Sequence, residues 1–344
     1  MKITINKKET VRDFECRSGE RILYSGLRQG LSLPHECATG TCGTCKATLE
    51  SGSLTNLWPD APASSKLKAS KNEFLMCQNS AKSDCQIKFR SSLVEIADAP
   101  DYYDGTIIET DMLTRDVIRV VVEFLKPMPF SPGQFVVFNI KGLEGGRAYS
   151  MVNAIDEGVQ YEFIIKQLPS GGFSNWLFEK SREGEEVSIF GPLGNAVLKP
   201  EDDKNIFCIT GGSGIAGIVS LLTEAVQNKY FTNRKGHLFF GVRTFQDLFF
   251  HNRLLDLHEK SNRNLSITFA FSQNNIPESP GFKNSKIDYL KGDVTPIALE
   301  KMSGNFDNTL AFLAGPPMMV EDAIKRLVLE CDFPANDIRY DKFG

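Results

Sequence analysis

The chain has 344 residues, 39 Lys and Arg against 43 Asp and Glu, a net charge of −4 and 41% hydrophobic residues. At roughly 150 residues per domain this predicts two or three globular domains and excludes wholesale disorder or a fibre. Apolar-rich stretches such as Ile206–Ile209 and Phe245–Phe250, the latter broken by Gln246 and Asp247, are far shorter than the roughly 18–20 residues that span a bilayer. The polar start Met1-Lys2-Ile3-Thr4-Ile5-Asn6 is no secretory signal, so a cytoplasmic protein with no membrane partner is expected.

Residues 1–92 carry 14 Lys and Arg against 9 Asp and Glu, while the remainder is acidic. That asymmetry is either chance or the mark of modules that attract each other or steer a partner. No dense basic stripe interleaved with aromatics is present, so nucleic acid is not an expected partner. The segment reads as a small β-rich module. Ile3 and Ile5 alternate with Thr4 and Asn6, a second strand follows near Val11–Cys16, and Glu20–Gln29 has helical spacing that ends at Gly30. Lys46–Glu50 and Cys85–Phe89 are predicted as further strands.

Between them stands Cys37-Ala-Thr-Gly-Thr-Cys42-Gly-Thr-Cys45, with Cys77 after a gap. This is the C-x4-C-x2-C…C spacing of a plant-type [2Fe–2S] cluster. Three thiolates must converge from one tight loop while a fourth arrives from elsewhere, and Gly40 and Gly43 allow the backbone to turn so that amides approach sulfur. Structural zinc would need a second knuckle at Cys77, c-type haem a His where Lys46 stands, and a Rieske centre a counterpart to His35. Disulfides fit poorly with a chain that shows no export signal. Of the other four cysteines, Cys16, Cys85 and Cys331 have no partner spacing, and Cys208 reads as a small buried hydrophobe.

The pattern lapses around Val94–Asp104, a predicted linker. From Gly105 to about Lys199 short strands dominate (Thr106–Glu109, Val117–Phe124, Gln134–Ile140, Tyr161–Lys166 and Glu186–Phe190), which predicts a small β-barrel. After Pro200 strands alternate with helices: Asn205–Thr210, His237–Val242, Leu265–Phe271 and Thr309–Ala314 against Ile218–Gln227, Leu248–Lys260 and Met319–Glu330. Such alternation predicts a doubly wound parallel sheet.

Two glycine turns lie at strand ends of that sheet, Gly211-Gly212-Ser213-Gly214-Ile215 and Ala314-Gly315-Pro316-Pro317. Together they predict a dinucleotide crevice, although tight strand–helix turns also use glycine. In the barrel segment, Arg147-Ala148-Tyr149-Ser150 offers a diphosphate clamp, a flat ring and a hydroxyl, against the alternative of a surface Arg beside a core Tyr. Lys166 leads into Gly171-Gly172-Phe173-Ser174, where a helix Ser174–Ser181 could aim free amides at a second phosphate pair.

These pieces, in this order, resemble one family across essentially the whole chain: the reductase components of bacterial multicomponent oxygenases. In these a plant-type ferredoxin domain is fused to a ferredoxin–NADP reductase-like module. The matching residues are Cys37, Cys42, Cys45 and Cys77, Arg147-x-Tyr149-Ser150, Gly171-Gly172-x-x-Ser174, Gly191-Pro192-x-Gly194, Gly211–Gly214, Gly315-Pro316-Pro317-x-Met319 and the ending Tyr340–Phe343. The stretch Asn56–Pro62 looks most like the reductases of soluble di-iron toluene and phenol monooxygenases.

The resemblance implies a multidomain α+β and α/β architecture. A β-grasp-like [2Fe–2S] ferredoxin domain (1–92) and a linker (93–101) would precede a six-stranded antiparallel β-barrel FAD domain (102–200) and a doubly wound parallel-sheet NAD domain (201–344). It implies that the four cysteines hold the metal, that Arg147 lies at the FAD diphosphate, Tyr149 on the isoalloxazine and Ser150 near N5, and that Ile165, Lys166, Gly171, Gly172, Phe173 and Ser174 complete the FAD site. Gly212, Ser213, Gly214, Ile215 and Arg243 would take the pyridine nucleotide, with Gly315 and Pro316 near its nicotinamide. Ser150, Tyr149 and Phe343 would be the residues at the reacting atoms. Two positions depart from the family: Ala314 stands where Cys is frequent and Gly217 where Pro is frequent. NADH is expected in preference to NADPH, although Arg243 could bind a 2′-phosphate.

The implied activity is electron transfer from NADH through FAD and the cluster to a terminal oxygenase or its small ferredoxin or Rieske component, for aromatic or hydrocarbon hydroxylation. A flavin joins a two-electron donor to a one-electron cluster, and the protein contributes positioning. The basic first module suggests an acidic docking surface on the acceptor. A Rieske dioxygenase or deoxysugar dehydratase system, or a redox-sensing carrier without enzyme activity, are the alternative readings.

Overall fold

A computed structural model describes residues 1–6, 11–96, 98–140, 142–153, 158–169, 171–273 and 286–342. Two compact units are formed. One comprises Met1–Asp104, Val136–Ala148 and Val187–Leu193, the other Gly105–Phe135, Tyr149–Glu186 and Gly194–Gly344.

The first unit is built on a five-stranded sheet in the order Val11–Glu15, Lys2–Asn6, Cys85–Lys88, Lys46–Ser51, Glu73–Leu75. Lys2–Asn6 pairs antiparallel with Val11–Glu15 and parallel with Cys85–Lys88, which gives the mixed sheet of a β-grasp. The alternation seen in the sequence buries Ile3 and Ile5 completely. The helix Ile22–Arg28 places Ile22, Leu23, Tyr24 and Leu27 in the same core. Gly26 allows the close approach, since a Cβ there would come within 2.4 Å of Leu33. Tyr24 stacks on Phe190, with ring centroids 4.2 Å apart and planes 4° from parallel. Its hydroxyl donates to the carbonyl of Ala38, 3.0 Å away in the cysteine loop.

The antiparallel sheet has six strands, in the order Arg147–Ser150, Phe135–Asn139, Glu186–Leu193, Asp101–Thr114, Val117–Phe124, Gln160–Lys166. An antiparallel bridge from Met151 to Phe163 joins the two ends, and the Val152 N–H donates to the Glu162 carbonyl at 2.9 Å. The closure is that of a barrel, which leaves no free edge. The expected linker is shorter than its composition suggested: extended pairing starts at Asp101, and the strand continues for 14 residues with a bulge between Ile107 and Glu109. Asp-rich sequence reads as loop, but the strand's place in the sheet between Glu186–Leu193 and Val117–Phe124 overrides that preference.

In the second unit six parallel strands lie in the order Ile287–Lys291, Leu265–Phe271, Gly236–Val242, Asn205–Gly211, Thr309–Gly315, Ile338–Lys342. The period of two assigns alternate side chains to opposite faces. Ile206 and Cys208 join one core with the helices Ile215–Gln227 and His251–Lys260. Phe207 and Ile209 join the other with Val294–Met302 and Pro317–Glu330. Cys208 is fully buried, as expected of a small hydrophobe. The strands Ile287–Lys291 and Ile338–Lys342 and the helix Val294–Met302 escape sequence reading: the strands are short and half polar, and the helix carries Pro296 near its start. Strand order reverses direction between Asn205–Gly211 and Thr309–Gly315, where open parallel sheets form their ligand crevice.

Candidate cofactor sites

In the cysteine loop the four sulfurs come as two pairs. Cys37 and Cys42 have their Sγ atoms 3.2 Å apart, and Cys45 and Cys77 3.1 Å apart. Gly40 and Gly43, with φ of 88° and 86°, turn the backbone. The amides of Thr39 and Cys42 donate to the Cys37 sulfur and that of Thr44 to the Cys42 sulfur, each at 3.4 Å. The hydrogen bond with Cys42 and the Thr39 donors bring the Cys37 thiol down to about 4, against the opposing effect of burial, while the same shared proton pushes Cys42 up. Burial and the neighbouring Cys45 thiol raise Cys77. Soft donors in two pairs, with amides aimed at sulfur, suit a centre of two irons with two thiolates each. At Gly40 a Cβ would sit 2.9 Å from Gln78, so the loop cannot hold this path with a larger residue.

The strand Arg147–Ser150 starts with a half-buried Arg147 whose Nη1 donates to the Gly146 carbonyl at 2.9 Å. Tyr149 faces Phe173, with centroids 5.5 Å apart. Phe173 stacks on Trp176 at 5.8 Å. Ser150 is buried and packs beside Gly217, where a Cβ would lie 3.3 Å from its Oγ.

The expected helix Ser174–Ser181 runs instead from Gly172 to Glu179. The Ser174 hydroxyl is occupied locally: it accepts from the Leu168 amide at 3.1 Å and donates to the Gly171 carbonyl at 3.3 Å. Among the described residues nothing lies within 4 Å of the place a Cβ on Gly172 would take, leaving its backbone open. Ile165 is fully buried, and Lys166 pairs with Asp116 at 3.7 Å.

At the reversal point of the parallel sheet the two glycine turns meet. A Cβ on Gly214 would lie 2.6 Å from both the Cα and the amide nitrogen of Gly315 and 2.7 Å from the Ala314 carbonyl carbon. Ala314 is buried there. Gly212, at φ 54°, has open space over it. Ile215 starts the helix with its side chain in the core, so only its backbone can serve a ligand. Beside this crevice the Thr210 hydroxyl is buried without a hydrogen-bond partner among the described residues. Open backbone at a helix start and an unsatisfied hydroxyl fit a dinucleotide phosphate.

Arg243, after the strand Gly236–Val242, donates to Asp116 at 2.7 Å and to Asp247 at 3.0 Å. Asp247 also accepts from the amide and hydroxyl of Thr244. Asp116 lies 127 residues from Arg243, and no sequence signal pointed to the pair. Pro316 precedes the helix Pro317–Glu330. Phe343 lies outside the described residues.

Comparison with known proteins covers each of these regions. Residues 3–82 match a 2Fe-2S iron-sulfur cluster binding domain, 104–197 an oxidoreductase FAD-binding domain and 208–325 an oxidoreductase NAD-binding domain. The ferredoxin–NAD(P)+ reductase CarAd of Metapseudomonas resinovorans is 33% identical over 334 residues, covering 95% of this chain and 96% of that one. The ferredoxin–NAD+ reductase component of the alkene monooxygenase system of Xanthobacter autotrophicus is 30% identical over 344 residues, covering 96% and 98%. This chain belongs to the reductase components of multicomponent oxygenases.

The ferredoxin reductase of carbazole 1,9a-dioxygenase superposes with a TM-score of 0.83 at 28% identity, covering 100% of this chain and 99% of that one. The reductase is accordingly a ferredoxin–NAD(P)+ reductase-type oxidoreductase with [2Fe–2S], FAD and NAD(P) domains, and it serves electron transfer in an oxygenase system. Among the described residues no helix is long and apolar enough to cross a membrane.

Proposed function

We propose that this cytoplasmic reductase passes electrons from NADH, by way of FAD and the [2Fe–2S] cluster, to an oxygenase that hydroxylates aromatic or hydrocarbon substrates. The observation that carries this reading is the paired arrangement of Cys37 with Cys42 and Cys45 with Cys77 under backbone amide donors, on a chain that also forms the glycine crevice. When bound, the flavin supplies the conversion between a two-electron donor and a one-electron acceptor. In this reading the ferredoxin domain spans 1–92, a linker 93–101, the FAD domain 102–200 and the NAD domain 201–344. The four cysteines hold the irons, Arg147 clamps the FAD diphosphate, Tyr149 and Ser150 border the flavin ring, and Gly171–Ser174 present amides to phosphate. Gly212–Ile215 offer backbone N–H groups to the nicotinamide dinucleotide, with Gly315 and Pro316 beside its reactive ring.

Preference for NADH is supported by Arg243. Two carboxylates already pair with its Nη2, so a 2′-phosphate would have to compete with them there and face their charge, although the buried Nε has no hydrogen-bond partner among the described residues. An acidic docking surface on the acceptor is supported by the basic balance of residues 1–92. It is supported also by exposed Lys66, whose Nζ donates to the Cys42 carbonyl at 3.1 Å and so sits at the cluster loop. Hydrocarbon or aromatic chemistry is supported by relatives named for alkene, propane, naphthalene and phenol oxidation.

Anaerobic titration of the purified protein with NADH tests the scheme. Both flavin and cluster absorbance are expected to bleach, and retention of either at full reductant overturns it. A rate of acceptor reduction that does not change with ionic strength would remove the docking proposal.

A further inference from the structure

Trp58 is one of two tryptophans in the chain. It is half-buried in the loop between the strand Leu54–Asn56 and the turn Pro62–Lys66. The loop is pinned on both sides of it. The Leu57 amide donates to the Gln78 carbonyl at 2.8 Å, and the Ala61 amide to the Trp58 carbonyl at 3.2 Å. The Trp58 amide donates to Asn56 Oδ1 at 3.0 Å. Its indole lies flush against Gly145, where a Cβ would come within 2.4 Å of Cε3 and 2.5 Å of Cζ3. Gly145 takes φ 69°, so glycine meets both the steric and the conformational demand.

Over that indole sits the guanidinium of Arg147, its Cζ 4.9 Å from the ring centroid. A π face and the Gly146 carbonyl thus hold the guanidinium, and among the described residues its other N–H groups have no hydrogen-bond acceptor. An unheld Arg loses rotamer freedom when it clamps a phosphate, and one already held loses less.

We propose that Trp58 is a positioning residue that presents Arg147 to the FAD diphosphate, so that a loop of the ferredoxin module sets flavin affinity. The proposal rests on the reading of Arg147 as the diphosphate clamp. No resemblance assigned Trp58 a role. Its signal in the sequence was a rare, rigid aromatic between Asn56 and Pro59, the kind of residue that seldom occupies an exposed loop without a contact to make.

The test is FAD titration of the deflavinated protein, followed by flavin fluorescence, with iron content and cluster absorbance checked in each variant. Trp58→Leu is expected to raise the FAD Kd roughly fivefold to thirtyfold, and Trp58→Phe, which keeps a π face, by less than about threefold. Trp58→Met gives the same readout if the Leu variant fails to keep its cluster. In an Arg147→Ala background, Trp58→Leu is expected to add nothing. An unchanged Kd in Trp58→Leu, or a full additive loss in the double variant, overturns the proposal. An unchanged Kd in Arg147→Ala alone overturns instead the assignment of Arg147, so the two failures are distinguishable.

Discussion

In the cysteine loop, Gly40 and Gly43 adopt φ near 90° and bend the chain so that amides reach sulfur. At the parallel sheet, Gly214 serves another end: it lets two backbones come closer than any side chain would allow, with Gly315 at a distance no Cβ could occupy. The first region is defined by what its side chains are, four thiols in two pairs. The second is defined by what its side chains are not. A site made of donors tolerates variation around the donors except where glycine turns the chain, whereas a site made of bare backbone tolerates almost none at the contact, because the clash is with main chain that has nowhere to move.

The most drastic way to sharpen that contrast is to remove a donor. Cys77→Ser is expected to abolish the cluster's visible absorbance and delivery of electrons to the oxygenase, while FAD content and NADH-dependent ferricyanide reduction persist. Full iron content in this variant would break the comparison. Gly214→Ala probes the other region. Its methyl group meets the Gly315 backbone at 2.6 Å, so a stability loss of about 1–3 kcal/mol and a raised KM for NADH are expected, with cluster absorbance unchanged. Thermal denaturation and steady-state kinetics read both.

A smaller effect is expected from charge at the rim of the nucleotide region. Asp247→Asn keeps an acceptor for the Thr244 cap but withdraws one charge from Arg243. The ratio of kcat/KM for NADPH over NADH is expected to rise by about threefold to tenfold, and a constant ratio would show that Arg243 takes no part in coenzyme choice.

The smallest effect concerns Asp116. Burial alone pushes its carboxyl up, but Lys166 and Arg243 outweigh this and hold it below the usual Asp range. A carboxylate with a lowered native pKa stabilises the fold above its unfolded pKa, and that contribution disappears as pH falls below about 4. Acid unfolding of Asp116→Asn should therefore show a slightly shallower dependence on pH, by no more than about 1 kcal/mol across that range. An identical profile would mean that the pair contributes nothing.

Much of the molecule was legible residue by residue. Ile3 and Ile5 announced a half-buried strand, Cys37 to Cys45 a metal loop, and the runs Asn205–Thr210 and Thr309–Ala314 the centre of a parallel sheet, because each pattern is local. The strand Ile338–Lys342 was not legible, since its five residues are all half-buried and its pairing to Thr309–Gly315 supplies the order that propensity does not. The start of the barrel strand at Asp101 was hidden in the same way. Among site residues, Asp116 carried no motif, and Trp58 stood in a family-like stretch that gave it no role; each acquires its significance from an arginine distant in the sequence.

The amino-acid order by itself determined which chemistry the chain can support, because thiol spacing, glycine turns and the Arg-x-Tyr-Ser tetrad are short-range patterns whose donors, Cys77 apart, lie within a few residues of one another. Tertiary structure alone decided how the cysteines pair, that Gly214 abuts Gly315, that Gly217 packs on Ser150, and that Arg243 spends its charge on two carboxylates. Those are through-space distances between segments tens to more than a hundred residues apart. Local propensity holds no information on them until the sheets have formed and packed.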